Sequence, residues 1–232
     1  LEESFGVPLF SRAKNRIELN NTGRFAAEYA RKLLADASQT IDQVRAFDSR
    51  QKTIVIRSCA PAPLWTLLPK LNAEHPGMVV SSVICQNEEV LAALKDGSCD
   101  IGILPFPLEK GEKFMQENLF VCVPPDHELA SHSTLTFDEI NGFNFLLRTE
   151  LGFWDTLCRE KMPASKFLVQ TDSEAFEELV KASSLPCFST DYGQNQRGIF
   201  STRMNIPLSD DEAHVTFYIE KSCRHERRQP SS

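Results

Sequence analysis

The sequence has 232 residues, of which 41% are hydrophobic and 25% are charged, and its net charge is −7. These values exclude a disordered or fibrous chain. No apolar run approaches the ~20 residues of a membrane span and no signal segment opens the chain, so we expect no membrane partner. The first 50 residues hold 8 Lys and Arg against 7 Asp and Glu, and the other 182 hold 17 against 25, so an acidic body follows a slightly basic start.

The cysteine pattern bears on the compartment and on metal binding. The seven cysteines are spaced at least 14 residues apart, so the close Cys-x-x-Cys pairs of a structural zinc site are missing. Most fall in apolar strands or helices. We therefore expect buried free thiols, a cytoplasmic protein, and no metal site or cofactor.

The first 21 residues predict a helix end and a hairpin. Residues 1–5 end a helix at Gly6, and two short extended pieces at 7–10 and 17–19 enclose a basic segment. Its cations are Arg12, Lys14 and Arg16, which either form a solvated tip or contact DNA phosphates.

The strongest helix pattern covers residues 22–48, with Thr22 as the expected N-cap. Apolar residues repeat at heptad spacing, namely Ala30, Leu33, Ala37, Val44 and Phe47. Such a helix, ~40 Å long at ~1.5 Å per residue, favours pairing with a second copy over lying on its own core. Residues 48–52 are expected to be a linker.

From residue 53 onward, strands and helices alternate. Strands are expected at 53–56, 78–84, 100–104, 114–123, 143–147, 166–170 and 186–189, with helices between the parallel ones. The βαβ alternation occurs twice, separated by extended segments near 119–124 and 199–207. This predicts an α/β fold of two Rossmann-like lobes with a cleft between them.

Several segments, in this order along the chain, resemble those of LysR-type transcriptional regulators. They are LEESFGVPLFSR (1–12), LNNTG (19–23) with YAR (29–31), LP (68–69) with HPG (75–77), DIGI (100–103) and VPPDHELA (123–130). The first segment is similar to the end of the recognition helix and the wing of such a regulator, the second to its linker helix. The others are similar to its two regulatory lobes.

The resemblance implies a domain order. A remnant of the winged helix-turn-helix at 1–21 precedes the linker helix at 22–48; the first 45–50 residues of a family member, with the recognition helix, are absent. Lobe 1 comprises 53–124 and 205–232, and lobe 2 comprises 125–204. The implied lobes are of the periplasmic-binding-protein type (type II). The implied protein is a cytoplasmic DNA-binding regulator, a homodimer or homotetramer, that binds a small-molecule effector.

Lobe 1 offers one wall of the expected effector site. The first strand runs through Ser58, Cys59 and Ala60 into a helix that begins near Pro61, whose backbone N–H groups suit a carboxylate. After the third strand, Leu104 and Phe106 are expected to wall the same cleft.

Lobe 2 offers the opposite wall. Arg148 and Thr149 leave a strand just before a helix, Thr171 does the same after the next strand, and Ser189 ends a third. Because Arg can hold a carboxylate with two hydrogen bonds, we expect a small organic acid as effector.

Each of these candidates has a structural alternative. Ser58 and Ser173 suit helix N-caps, and Cys59 suits a small packed side chain. Arg148 suits an ion pair with Glu150 or Glu160, and Asp172 opposes a purely anionic ligand. The segment 182–186 has no glycine, so the helix before it must end without the usual left-handed residue.

Two other functions compete with the regulator. A solute-binding protein for uptake shares the two-lobe fold, but it has no use for a heptad helix and seldom carries seven cysteines. No motif supports an enzymatic function, since the sequence has no Gly-x-Ser-x-Gly, no paired metal ligands and no phosphate-binding glycine loop.

Overall fold

The computed structural model describes residues 1–13, 16–194 and 200–222. The chain divides into two compact units, with the boundary between Lys52 and Thr53. Lys14, which we expect in the wing, and the tail 223–232, which we expect in lobe 1, lie outside the described residues.

The first unit contains a hairpin between two helices. Its elements are α1 (Glu2–Phe5), β1 (Phe10–Ala13), β2 (Arg16–Leu19) and α2 (Asn21–Gln51). The strands are antiparallel, with Phe10 opposite Leu19 and Arg12 opposite Ile17. Arg12 and Arg16 are both exposed on this hairpin, where they can reach a partner.

Helix α2 begins earlier and ends later than the sequence predicts. Its N-cap is Asn20, not Thr22, because the Asn20 side chain accepts the Gly23 N–H at 2.7 Å and donates to the Pro8 carbonyl at 2.9 Å. The cap therefore also fastens the hairpin to the helix. At the other end the helix continues through Gln51, so the expected linker 48–52 is the last helical turn.

One face of α2 carries large apolar side chains that are exposed. They are Phe25, Tyr29, Leu33, Leu34, Ile41, Val44 and Phe47, and Leu33 is 69% and Val44 63% exposed. At ~100° per residue they fall on one half of the helix surface. No helix in the described ranges has the length and apolar character needed to cross a membrane, α2 included.

The second unit is an α/β fold. Its first half contains β3 (Thr53–Ser58), α3 (Pro61–Glu74), β4 (Val79–Ile84), α4 (Asn87–Asp96), β5 (Ile101–Leu104) and β6 (Glu112–Val123). Its second half contains α5 (Phe137–Ile140), β7 (Asn144–Arg148), α6 (Phe153–Lys161), β8 (Lys166–Gln170), α7 (Ser173–Ala182), β9 (Cys187–Thr190), α8 (Asp191–Gln194), β10 (Met204–Pro207) and β11 (His214–Lys221).

The strands form two parallel sets joined by one long strand. In lobe 1, β3 pairs in parallel with β4 and β5; in lobe 2, β7 pairs in parallel with β8 and β9. The first part of β6 pairs with β11 in lobe 1, and its last part pairs with β9 of lobe 2 and with β10. The predicted two-lobe α/β architecture is confirmed, and β6 crosses between the lobes.

Arg203 explains how helix α7 ends without a glycine. This buried side chain donates to the carbonyl oxygens of Val180 at 2.8 Å, Ser183 at 2.6 Å and Leu185 at 2.7 Å. A guanidinium therefore satisfies carbonyls that a left-handed glycine motif usually satisfies through the backbone. Nothing in the segment 182–186 itself predicts this partner.

Candidate functional site

The carboxyl ends of the parallel strands in the two lobes meet at a cleft. β3 ends at Ser58 and β7 at Arg148, and helices begin just beyond, at Pro61 and Phe153. A cavity of about 80 Å³ lies here, lined by Pro61 and Trp65 of lobe 1 and by residues of β7, α6, α7 and β9 of lobe 2. Ligands of open α/β folds usually bind at such strand ends. We call this space the central cavity.

The two lobes contact each other directly at one side of the cleft. The Phe153 N–H at the start of α6 donates to the Cys59 carbonyl at 2.8 Å. The Thr156 hydroxyl approaches the Gln86 side-chain oxygen at 3.4 Å and makes a second contact between the lobes. The cleft is therefore partly closed by the chain's own groups.

Most of the effector-site candidates in lobe 1 are buried and do not reach the cleft. Ser58, Cys59 and Ala60 are fully buried, and the Ser58 hydroxyl donates to the Ala60 carbonyl at 2.7 Å. Burial raises the pKa of the Cys59 thiol well above its usual range, which keeps it protonated and unreactive. These contacts favour structural roles for Ser58 and Cys59, and of the lobe 1 candidates Pro61 alone lines the central cavity.

The start of α3 offers fewer N–H donors than an ordinary helix start. Pro61 and Pro63 occupy the first and third helical positions, and proline has no N–H. Ala62 supplies the one backbone donor among these three residues. A carboxylate therefore gains less from this helix start than from an ordinary one.

Leu104 and Phe106 do not line the cavity. Leu104 is fully buried at the end of β5, where it pairs with Tyr218 of β11, and Phe106 is 36% exposed beyond the strand. Neither side chain belongs to the lining of the central cavity or of the polar pocket described next.

Arg148 occupies the centre of the lobe 2 wall. Its guanidinium donates to the Ser173 hydroxyl at 3.3 Å and lies over the Phe176 ring, 5.5 Å from the ring centre. Within the described residues it forms no ion pair with Glu150 or Glu160, the alternative that the sequence leaves open. Across the described part of the chain, no carboxylate forms an ion pair with its charge.

A second, polar pocket adjoins Arg148. It has a volume of about 120 Å³ and is lined by Arg148, Thr149, Glu150, Gln170, Thr171, Asp172 and Ser173. The N-cap of α7 is Asp172, whose carboxylate accepts the Ala175 N–H at 2.8 Å, so Ser173 keeps its hydroxyl for Arg148. Because this N–H at the start of α7 already engages Asp172, its charge opposes a nearby anion less than a free carboxylate would.

The loop that forms this pocket has unusual backbone geometry. Glu150 has a φ of 60° and Gly152 has the same φ, so two residues of the four between β7 and α6 are left-handed. For Glu150 this conformation costs about 1–2 kcal/mol. Thr149 and Glu150 both line the polar pocket. Backbone strain of this kind is typical of ligand-binding loops.

The structure thus sorts the lobe 2 candidates into two adjoining spaces. Thr149 and Thr171 line the polar pocket, Ser189 lines the central cavity, and Arg148 lines both.

One functional group, the carboxyl of Glu117, is not among the residues expected from the sequence. This residue lies in β6 where the strand crosses between lobes, is 1% exposed, lines the central cavity, and accepts the Trp154 Nε1–H at 3.1 Å. Burial raises its pKa to about 7, although hydrogen bonds from Thr190 and Trp154 act against the rise. The signal in the sequence is the alternation of Met115, Glu117 and Leu119, which puts Glu117 on the buried face of the strand.

Comparison with known proteins supports the architecture. Residues 53–183 match the family model described as the LysR substrate binding domain. Over 157 residues the chain is 31% identical to the uncharacterized HTH-type transcriptional regulator YybE of Bacillus subtilis, an alignment that covers 63% of this chain and 53% of YybE. It is 29% identical over 156 residues to the Hca operon transcriptional activator HcaR of Escherichia coli, covering 63% of this chain and 52% of HcaR. The chain spans about half the length of the curated relatives it matches.

Solved structures agree with the fold. A full-length OxyR variant from Pseudomonas aeruginosa superposes with a TM-score of 0.59 at 18% identity, covering 98% of this chain and 83% of that chain. Full-length BenM superposes with a TM-score of 0.53 at 19% identity, covering 98% of this chain and 81% of that one. At these identities the likeness concerns the fold alone.

Proposed function

The chain belongs to the LysR family, and from that membership we propose that it is the effector-binding part of a DNA-binding transcriptional regulator acting in the cytoplasm. Its relatives bear names of HTH-type regulators and of an operon activator. The effector that we propose is a small organic acid held in the cleft between the lobes. The division into wing (1–21), linker helix (22–48) and lobes (53–124 with 205–232, and 125–204) stays a prediction.

The observation that carries the effector proposal is the position of Arg148. Its guanidinium lies between the central cavity and the polar pocket, with a serine hydroxyl and an aromatic face as its contacts. A carboxylate placed there gains two parallel charge-assisted hydrogen bonds from the guanidinium. The hydroxyls of Thr149, Thr171 and Ser173 supply further donors on the same side.

The contact between the lobes is a feature that a bound effector can stabilise. A ligand changes the conformation of a protein when it binds one arrangement more tightly than another. The hydrogen bond from Phe153 to Cys59 joins lobe 2 to lobe 1 beside the cavity. An effector that bridges Arg148 and lobe 1 favours the arrangement in which this bond is made.

We assign DNA contact and self-association to the first unit. Arg12 and Arg16 are exposed on the hairpin and, with Lys14, suit contact with DNA phosphates, which position a protein without reading sequence. The exposed apolar face of α2 suits a second copy of the same helix, giving a homodimer or homotetramer. This face argues for the regulator over a solute-binding protein with the same lobes.

The test of the effector site is a thermal-shift screen of small carboxylic acids against the 232-residue chain. A bound acid raises the melting temperature by mass action. Arg148→Ala should abolish that rise. Lys166→Ala is the matched control, because Lys166 begins β8 at the end of the strand opposite to Thr171 and should leave the rise unchanged. Equal rises in both variants would contradict the assignment of Arg148.

A further inference from the structure

Glu117 is a buried acid, and the carboxylate that we propose at Arg148 gives it no binding role. Its side chain is 1% exposed and borders the central cavity. Within the described residues it has no cationic partner: the charged group that acts on it is Asp191, of like sign, and the ion pairs of the unit lie elsewhere. A buried carboxyl normally has a cation facing it or stays neutral.

The protein groups around Glu117 present donors to it. Trp154 donates through its indole N–H at 3.1 Å, and the Thr190 hydroxyl bonds to the same carboxyl group. With both of these donors Glu117 acts as a hydrogen-bond acceptor. Its other titratable neighbours, Cys59 and Asp191, bring no positive charge. Among the residues that the structure describes, no cation faces this carboxylate, and it borders the central cavity, where a ligand can supply one.

The walls of the cavity suit an organic cation. Apart from Glu117, Arg148, Ser189 and Thr190, the described lining is apolar or aromatic. Its aromatic members are Trp65, Trp154, Phe176, Phe188 and Phe200. Aromatic faces attract ammonium groups and also bury aliphatic carbons. At ~10–15 Å³ for each water-sized position, a cavity of about 80 Å³ admits several non-hydrogen atoms.

We propose that the effector carries a protonated amine that binds Glu117, on an apolar body that fills the central cavity, together with the carboxylate that binds Arg148. This inference rests on the proposed function and names the class of its effector, a small apolar amino acid. One zwitterion satisfies both charged groups of the cavity, while an acid without the amine leaves Glu117 without a cation.

The experiment compares three compounds of the same branched skeleton: L-leucine, 4-methylpentanoate, which lacks the amine, and 3-methylbutylamine, which lacks the carboxylate. Both tryptophans of the chain, Trp65 and Trp154, line the cavity, so intrinsic fluorescence reports binding. We expect L-leucine to bind at least about tenfold more tightly than 4-methylpentanoate. Glu117→Gln should remove that advantage, and Glu112→Gln, an exposed position in the same strand, should keep it.

Proton exchange distinguishes an ammonium from a carboxylate at Glu117. Because its pKa is near 7 in the free protein, an ammonium that binds the ionised form releases about half a proton at pH 7. A carboxylate that accepts a hydrogen bond from the neutral form takes up protons instead. Calorimetry of L-leucine binding in two buffers of different ionisation enthalpy gives the sign, and we expect release that disappears in Glu117→Gln.

Three results would overturn the inference. One is absence of binding by both amine-bearing compounds, another is proton uptake, and the third is a pKa of Glu117 at or below 4.5 in the free protein, which means that the chain itself already stabilises the carboxylate. If 4-methylpentanoate binds as tightly as L-leucine and Arg148→Ala abolishes the binding of both compounds, the result supports an organic-acid effector and contradicts the amine contact with Glu117. If Glu117→Gln weakens the binding of L-leucine but Arg148→Ala does not, the result contradicts the carboxylate site at Arg148.

Discussion

The backbone of Gly152 in lobe 2 lies against the carbonyl group of Cys59 in lobe 1. A Cβ atom at Gly152 would stand 1.9 Å from that oxygen, a distance that no side chain tolerates. The next residue, Phe153, donates its N–H to the same oxygen. The lobes thus approach so closely because residue 152 has no side chain, and its φ of 60° separately favours glycine.

Gly152→Ala should therefore weaken the contact between the lobes. The new Cβ has to displace the Cys59 carbonyl, and the left-handed backbone adds strain, so we expect the free energy of unfolding to fall by about 2–5 kcal/mol. Urea denaturation measures the loss. Hydrogen exchange at the Phe153 amide should become faster, because its bond to Cys59 is broken.

The control is Gly97→Ala in lobe 1. Gly97 has a φ of 72°, but a Cβ there meets nothing within 4 Å, so this variant should show the backbone cost alone, about 1–2 kcal/mol. If the two variants lose equal stability and the Phe153 amide stays protected in both, the close approach at Gly152 does not hold the lobes together.

The buried carboxyl of Glu117 should make stability depend on pH. In the folded protein its pKa is about 7, against 4.5 for an ordinary glutamate, so folding favours the protonated form. The stabilisation is complete below about pH 4.5, declines as the pH rises to 7 and is absent above 7. At 1.36 kcal/mol per pKa unit it amounts to about 3 kcal/mol.

Glu117→Gln isolates this contribution. We expect wild type to lose about 3 kcal/mol relative to Glu117→Gln between pH 4.5 and 8, as measured by urea denaturation at a series of pH values. Glu112→Gln, at an exposed position of the same strand, should follow wild type at every pH. Parallel curves for wild type and Glu117→Gln would mean that Glu117 has an ordinary pKa.

The exposed face of α2 should drive self-association. A lysine at Val44, which is 63% exposed, puts a charge in the seam of a paired helix, so Val44→Lys should weaken the dimer at least about tenfold. Ala46→Lys adds the same charge on the opposite face and should leave it unchanged. Sedimentation velocity at micromolar concentration measures both. Identical sedimentation of Val44→Lys and wild type would place the association elsewhere.

The alternation of strands and helices could be predicted because it follows from local pattern. Ile54 and Ile56 alternate with less buried residues in β3, and helices with apolar faces separate the parallel strands, so period and order determine the fold class. The shortage of N–H donors at the start of α3 is also predictable, since the sequence shows prolines at positions 61 and 63.

The contacts of Glu117 and Gly152 could not be predicted, because their partners lie far along the chain. The strand pattern gives the buried side of Glu117 but not Trp154, 37 residues away, as its donor. The sequence predicts that a helix follows Thr149, but the contact of Gly152 with Cys59 depends on how two separately formed lobes meet. Such features arise from tertiary packing, which single-sequence patterns do not encode.

Arg203 should stabilise lobe 2 more than its single charge suggests. Its guanidinium is 7% exposed and satisfies the carbonyls of Val180, Ser183 and Leu185 where α7 ends. Removing it leaves several buried acceptors without donors, each at a cost of about 1–3 kcal/mol. We expect Arg203→Met to lower the free energy of unfolding by about 3–5 kcal/mol in urea.

Two further variants separate this role from charge alone. Arg203→Lys keeps the charge but loses the planar fork of donors, so its stability should fall between that of wild type and Arg203→Met. Arg159→Met removes a half-exposed ion pair with Asp155 and should cost no more than about 1 kcal/mol. If Arg203→Met lowers the free energy of unfolding as little as Arg159→Met does, the carbonyls at the end of α7 have other donors. That result would contradict the conclusion that Arg203 takes the place of the missing glycine.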